Sequence, residues 1–403
     1  MLDGWRHADL RECVEEIRSG KSVNSSDEPA KSDEIGVLKT SCVYSGKFDP
    51  RENKVVLPSE RALVKCPVTA GSIIVSRMNT ADLVGASGYV DRDYPNIFLP
   101  DRLWAVYAKQ GIDPVWLYYI TSCPETRARL SDNASGTSAS MKNISQDVFL
   151  SIPARIPPFP EQRKIAEVLR KWDEAIEKLE ALRTANLRRY KAVARQFFDP
   201  CHPTFHDRPN AWREFELGNV FSERSQSGME NDRLLSITMN GGVIDRDDVG
   251  RKDTSTEDKS KYKLILPGDI GYNTMRMWQG VCGLSTRRGI ISPAYTVVTP
   301  VANRIIGRYA AHLFKSRRMV FDFERYSQGL TSDTWNLKFP AFSKIRVFLP
   351  PIEDQEQQAN LLDTLTAEGA AIGKQLEALT QQKRGLMQKL LTGEWRVQLE
   401  EAA

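Results

Sequence analysis

Several short stretches of this chain bring together residue types that could do chemistry. Cys201, His202 and His206 lie close enough in sequence to suggest zinc ligands, but no fourth ligand accompanies them. Asp248, Glu257 and Lys259 have the acid and Glu-x-Lys order of a metal-dependent nuclease. Such a site needs its acids on a buried strand edge to hold magnesium, whereas Thr254 to Lys263 reads as a polar loop. Gly20-Lys21-Ser22 ends like a phosphate-binding loop, yet Glu15 stands where the first glycine belongs. Asp173-Glu174-Ala175-Ile176 has the letters of a helicase box without a phosphate loop to serve. Ile156-Pro-Pro-Phe159 has the outline of an Asn/Asp-Pro-Pro-Tyr/Phe motif, in which the first side chain holds a target amino group. Isoleucine cannot accept that hydrogen bond, and no glycine-rich loop follows a clear strand to hold S-adenosylmethionine. Each set lacks a necessary member, so the sequence nominates no catalytic residue and no metal ligand.

The elements around these stretches say more. The chain has 403 residues, 41% hydrophobic and 27% charged, which fits a globular protein of two or three domains and excludes wholesale disorder. Its longest apolar run is Val115 to Ile120, far short of a membrane span of ~20 residues. The opening MLDGWRHADL lacks the basic start and apolar core of a signal peptide. A cytoplasmic protein is expected, with no membrane partner. The six cysteines form no CxxC pair, which speaks against a disulfide framework or a zinc ribbon. A net charge of +4 does not by itself announce a nucleic-acid binder.

The chain is written twice. The offset of 193 that separates Pro157-Pro158 from Pro350-Pro351 also carries Gln162 onto Gln355, Ala166 onto Ala359, Leu169 onto Leu362, Gly136 onto Gly329 and Asn143 onto Asn336. Upstream the offset drifts, as insertions would cause: Gly71-Ser-Ile matches Gly268-Asp-Ile, Met78 matches Met275, and Trp5 and Leu10 match Trp212 and Leu217. Each half reads as a Trp-x4-Leu opening, a mixed segment, a Pro-Pro punctuation and a long helix. In the mixed segments, Gly71-Ser-Ile-Ile-Val-Ser and Ala294-Tyr-Thr-Val-Val read as buried strands, while Pro114 to Ser122 and Tyr309 to Phe323 read as helices.

The long segments begin after prolines and contain none until Pro200 in the first and none at all in the second. A four-three spacing picks out Ile165, Leu169, Trp172, Ile176, Leu179, Arg183, Asn186, Tyr190, Val193 and Phe197. From Leu169 onward, the same frame 193 residues on gives Leu362, Leu365, Gly369, Ile372, Leu376, Leu379, Lys383, Leu386 and Leu390. Such a seam is the signature of coiled-coil pairing. The expected fold is therefore α+β: two pseudo-repeated mixed domains alternating with two long helices that pair as an antiparallel coiled coil. The segments are 1–155, 156–200, 201–347 and 348–403. Arg183, Asn186, Gly369 and Lys383 break the seam and could fix register or loosen the pairing. Antiparallel helices of ~35 residues, about 50 Å long, would hold the two mixed domains further apart than one turn of B-DNA, ~34 Å.

The doubled order Trp-x4-Leu, Gly-(Ser/Asp)-Ile, Ser/Gln-Gly, Pro-Pro-x-x-x-Gln and long helix carries a family resemblance. So do Ile156-Pro-Pro-Phe-Pro-Glu-Gln-Arg-Lys-Ile-Ala-Glu-Val-Leu169, Gln382-Lys-Arg-Gly-Leu-Met-Gln-Lys-Leu-Leu391 and Leu-Leu-Thr-Gly-Glu-Trp-Arg-Val at 390–397. Over essentially its whole length the chain resembles the specificity (S) subunit of type I restriction-modification systems. The resemblance implies two target recognition domains, each reading one half of a split double-stranded DNA sequence. It implies helices that set the gap and dock two DNA adenine methyltransferase subunits, and through them restriction/translocase subunits. S-adenosylmethionine, ATP and magnesium would then belong to those partners, with no cofactor in this chain.

DNA readers are expected in loops after the Gly-x-Ile strands, where Arg suits guanine and Asn or Gln suits adenine. These are Arg77, Asn79 and Thr80 in the first half and Asn273, Thr274, Arg276 and Gln279 in the second. A second set is Ser135, Thr137 and Ser138 with Thr331 and Ser332, where glycine permits close approach and hydroxyls suit phosphates. Ordinary turns and caps are the competing reading. Arg287-Arg288 and Arg317-Arg318 could grip phosphates. Helix pairing or partner docking is assigned to Leu169, Trp172, Ile176, Leu179, Leu362, Leu365, Ile372, Leu376, Leu379 and Leu386. The alternatives are a self-contained DNA nuclease or methyltransferase, disfavoured by its incomplete motifs, and a coiled-coil adaptor that binds no DNA.

Overall fold

The computed structural model describes residues 4–136, 141–199, 202, 212–229, 231–239, 241–250, 258–331 and 333–399. The chain forms two compact units. Unit 1 comprises Met1–Lys178 with Leu376–Ala403, and unit 2 comprises Leu179–Gln375. Each compact unit includes the helical halves that complete its core.

In unit 1 an antiparallel sheet places Val14–Ser19, Leu103–Ala108, Ile73–Ser76 and Ser87–Tyr89 side by side. The run Ile73-Ile74-Val75 is buried on both faces, which explains its unbroken apolar character. A second sheet joins Asn53–Val55, Gly36–Leu38, Tyr94–Phe98 and Pro67–Val68. The ribbon Arg6–Asp9 with Pro153–Ile156 brings the start of the unit against the strand that precedes the long helix.

Unit 2 repeats the first of these sheets in the same order: Phe221–Glu223, Tyr295–Pro300, Ile270–Asn273 and Cys282–Leu284. It also repeats the ribbon, as Arg213–Glu216 with Arg346–Leu349. Among the described residues the second sheet is not repeated. In its place stand the two-stranded pairs Leu235–Thr238 with Gly242–Asp245 and Lys263–Ile265 with Gly289–Ile291. The duplicated framework is thus held in common, and the two units diverge in the layer added to it.

The helix expected over Pro114 to Ser122 is present with those bounds, capped by Asp113. The helix expected over Tyr309 to Phe323 is two helices, Gly307–Leu313 and Arg317–Tyr326. Ser316 breaks the run by accepting a hydrogen bond from the Met319 amide and capping the second piece.

The long helices are Phe159–Phe198 and Ile352–Thr392. Each is divided between the units. In unit 1, Ile165, Ala166 and Leu169 share a core with Met387, Leu390 and Leu391. In unit 2, Tyr190, Val193, Ala194, Phe197 and Phe198 share one with Ala359 and Leu362. Within each unit the two segments run antiparallel: in unit 1 Asp173 pairs with Lys383 while Leu169 shares a core with Met387 and Leu390, and in unit 2 Asn186 pairs with Glu368 while Val193 shares one with Ala359 and Leu362. Burying each such leucine contributes on the order of 1.5–3 kcal/mol, and in both units the helices bury their stripe partly against the sheet domain. Among the described residues no helix is long and apolar enough to cross a membrane.

Candidate nucleic-acid interface and helix clamp

Gln162 and Gln355 anchor the long helices. Gln162 is buried; its Nε2 donates to the carbonyls of Pro157 (2.9 Å) and Gly111 (3.4 Å), and its Oε1 accepts from the Asp113 amide (2.8 Å). Gln355 does the same with the carbonyls of Pro350 (2.9 Å) and Arg304 (3.0 Å) and the Ile306 amide (3.0 Å). Each glutamine ties the first turn of a long helix to the start of a sheet-domain helix. The Pro-Pro-x-x-x-Gln spacing sets this up: proline ends the preceding strand and supplies a free carbonyl, and the amide side chain reaches back to it.

Unit 1 carries a second lock. Glu161 is buried, and its carboxylate accepts from Trp5 Nε1 (3.0 Å) and Arg396 Nε (3.0 Å). The opening tryptophan and the Glu-Trp-Arg-Val tail therefore meet on one carboxylate. Lys383, which the sequence marks as a break in the seam, places its ammonium 2.5 Å from Asp173 and over the Tyr119 ring. Tyr119 donates its hydroxyl to the same carboxylate (2.7 Å), and burial together with the Asp173 charge pushes its pKa well above the ordinary phenol range. In unit 2 the equivalent meeting point holds Tyr190 and His312, 3.0 Å apart, with Asp363 2.8 Å from the other imidazole nitrogen and Arg308 2.7 Å from Asp363.

The docking candidates follow their spacing. Leu169, Ile176, Leu362, Leu365 and Ile372 are buried, and Trp172, Leu179, Leu376, Leu379 and Leu386 are half-buried. Arg183 is exposed, and Asn186 donates to Glu368 (3.1 Å).

The reader candidates are brought together in each unit by a small hairpin. In unit 1, Met78–Asn79 pairs with Lys142–Asn143, Ser135 bridges Asn143, and the Ile144 amide donates to the Arg77 carbonyl (2.9 Å). In unit 2, Gln328 bridges Asn336, and the Leu337 amide donates to the Thr274 carbonyl (2.9 Å). Gly136 and Gly329 both adopt positive φ, +130° and +149°. A Cβ would meet the Met141 carbonyl oxygen at 2.3 Å in one and the Thr334 carbonyl oxygen at 2.6 Å in the other. Only glycine fits this turn. Asn143 and Asn336 each keep a buried Oδ1 without a hydrogen-bond partner.

The side chains divide into inward and outward sets. Asn79 donates to Tyr44 (2.9 Å) and Ser76 (3.2 Å) and accepts from the Thr80 amide (2.9 Å). Arg77 lies over Trp104, and its buried Nε lacks a partner. Asn273 caps the Met275 amide (3.0 Å), and the buried Thr274 donates to the Ala294 carbonyl (2.7 Å). Ser135 donates to Asn143 (3.1 Å), and Thr331 engages Thr334. These polar groups largely build the loops. Arg276 and Gln279 are exposed, and neither side chain has a hydrogen bond or ion pair among the described residues. Beside them Trp278 packs edge-on against Trp335, 5.3 Å between centroids, and Leu330 at the hairpin tip is fully exposed. Thr137, Ser138 and Ser332 lie outside the described residues, as do Cys201, His206 and Glu257.

The arginine pairs are mostly engaged. Arg287 pairs with Asp245, Arg288 with Asp232 (2.9 Å) and Arg318 with Asp322 (2.7 Å). These three guanidinium groups stay about half exposed beside their carboxylates, and Arg317 is exposed. Burial pushes the thiols of Cys13 and Cys282 up to about 12 and raises those of Cys42, Cys66 and Cys123, which removes nucleophilic character. Among the described residues no three His, Cys, Asp or Glu side chains converge as a metal site.

Residues 3–186 match a family described as the type I restriction modification DNA specificity domain. The EcoEI specificity subunit of Escherichia coli is 28% identical over 182 residues, 44% of this chain and 30% of that one, so the match spans under a third of that relative. The EcoKI specificity subunit of Escherichia coli strain K12 is 21% identical over 92% of this chain and 83% of its own length. The crystal structure of a type I restriction-modification S subunit from M. genitalium has a TM-score of 0.64 at 16% identity, covering 96% of both chains. That likeness extends the shared fold over both units.

Proposed function

We propose that this chain, similar over residues 3–186 to the type I restriction modification DNA specificity domain and to specificity subunits of Escherichia coli, recognises a bipartite DNA target, one half-site per unit. The observation that carries this reading is the duplication of a framework whose added layers differ. Two equal frameworks can present two readers in the same way, and two unlike layers let them read unlike sequences. A chain built so recognises an asymmetric split site, with the gap set by protein geometry.

In this reading Arg276 and Gln279, with the hairpin Gln328–Asn336 beside them, read bases in one half-site. The strand Met78–Asn79 and its hairpin present the other unit's surface. The long helices dock two DNA adenine methyltransferase subunits, and restriction subunits join through these. The chain itself is non-catalytic and works in the cytoplasm. S-adenosylmethionine, ATP and magnesium serve the partners, and the incomplete motifs of the sequence support that division of labour.

The test is a methylation map of the host genome with and without the gene. Loss of N6-methyladenine from one split motif is expected. An unchanged map, together with no split motif enriched from random DNA by the reconstituted complex, would leave the adaptor reading in its place. Methylation or cleavage of DNA by the isolated chain would overturn the non-catalytic assignment.

A further inference from the structure

The duplication supplies an internal control for one surface. In unit 1, Ile176, Leu376 and Leu379 hold three seam positions. Their counterparts in unit 2, at the offset of 193, are Gly369, Arg183 and Asn186. One unit fills the position with three aliphatic side chains. The other leaves it with a glycine, a guanidinium and an amide. Gly369 has no side chain to spare there, since a Cβ would sit 2.8 Å from Asn186 Oδ1.

A groove of about 630 Å³ opens at this place in unit 2, with an apolar floor that includes Tyr190 and Leu365 and a polar edge of Arg183, Lys191, Gln279 and Lys315. Arg183 and Lys191 are exposed and make no ion pair among the described residues, and Lys315 donates only to the Met239 carbonyl (2.8 Å). Glu368 is held by Asn186 (3.1 Å) and does not line the groove. Three un-neutralised cations around one concavity repel one another and concentrate anions. The far wall carries Gln279, an outward reader candidate, so the groove continues the reader surface.

We propose that this groove seats DNA backbone phosphates flanking the half-site that unit 2 reads. The inference rests on the reading of the chain as a DNA-recognition subunit. Phosphates are present whatever the flanking sequence, so the grip adds affinity without specificity. Unit 1 fills the matching place with its aliphatic trio, so the two halves of the target are held unequally.

The experiment uses the complex with its methyltransferase subunits and a duplex bearing the mapped site. Binding is measured against KCl for the wild type, for Arg183→Ala/Lys191→Ala/Lys315→Ala, and for Lys191→Arg/Lys315→Arg. Each neutralised phosphate contributes a slope of about 0.9 in log affinity against log salt. The triple alanine variant should lose roughly 2–3 units of slope, equally on cognate and mismatched duplexes, while the arginine variant keeps the wild-type slope and the methylated motif stays the same. An unchanged slope in a wild-type complex that binds its site overturns the groove assignment alone. So does weakened partner co-elution without DNA at unchanged slope, which would place an acidic partner segment in the groove. A wild-type complex that selects no split site removes the recognition reading and this proposal together.

Discussion

The ammonium of Lys383 lies 2.5 Å from the carboxylate of Asp173, joining the two long helices of unit 1 at a position where an apolar seam residue is expected. Both side chains are mostly buried, at 16% and 21% exposure. The seam is interrupted there by a matched pair, and Tyr119 completes the carboxylate's hydrogen bonds.

Lys383→Met should therefore destabilise the chain, because it leaves Asp173 charged and short of a partner. A loss of about 1–3 kcal/mol is expected. Asp173→Leu/Lys383→Leu should recover only part of it: an apolar pair avoids the desolvation cost of the charges, but the Tyr119 hydroxyl loses its acceptor. Urea melts over the double-mutant cycle check this. Additive single losses would show that the pair does not couple.

Gln162→Leu should cost more than its exposed neighbours. It strands the Pro157 and Gly111 carbonyls and the Asp113 amide in a buried setting, at roughly 2–4 kcal/mol in total. Gln355→Leu should cost a similar amount in unit 2 for the same reason. Hydrogen exchange at the first turns of the two long helices reads the effect locally. Fast exchange confined to the helix of the altered unit is the expected pattern.

Gly136→Ala and Gly329→Ala should each strain a reader hairpin. Both residues have positive φ, and the new methyl would meet a backbone carbonyl. A stability loss of about 1–3 kcal/mol is expected. The larger effect should fall on DNA binding, measured by fluorescence anisotropy of the complex. Full binding by both variants would remove the hairpins from the interface.

Arg276→Ala and Gln279→Ala should relax the methylated motif at particular bases of one half-site only. A base contact is worth ~1–3 kcal/mol of discrimination. Asn79→Ala should act differently, lowering stability through Tyr44 and Ser76 before it alters the motif. Methylome sequencing of each variant separates the two behaviours.

Cys13 and Cys282 should resist alkylation in the native chain. Their folded pKa of about 12 stands above the ordinary 9.0, because burial disfavours the thiolate. Stability gained from keeping them neutral is present below about pH 9 and lost as pH climbs through about 12. Iodoacetamide labelling at pH 9 should be slow in the folded protein and fast after unfolding. Rapid native labelling would show that these thiols open to solvent.

Much of the architecture was readable from residue order. The offset of 193 located the helix clamps, the hairpin glycines and the paired helices because duplication preserves what the framework needs. Proline positions set the helix starts almost to the residue. Residue order does not show the break at Ser316, because apolar spacing continues through it and a cap is visible only when its amide partner is known. The reader candidates were chosen by residue type, which cannot say whether an amide or hydroxyl faces solvent or its own loop; Asn79, Asn273 and Thr274 turned inward for that reason. Lys383 looked like a defect because its partner, Asp173, is 210 residues away in sequence. The groove at Gly369 was visible only as an irregularity in the seam, since a cavity is a property of what surrounds a missing side chain.

Unit 1 is made from two separated stretches of chain, whereas unit 2 is one continuous stretch. A ribosome that has released residue 375 has finished everything unit 2 requires. At that moment unit 1 still lacks Met387, Leu390 and Leu391, which complete the core around Leu169, and Arg396, which reaches Glu161. The half translated first is thus the half completed last. Until residues 387–396 are made, its apolar helix face stays uncovered, and a stop codon ahead of them damages a unit most of whose residues, Met1–Lys178, lie far upstream.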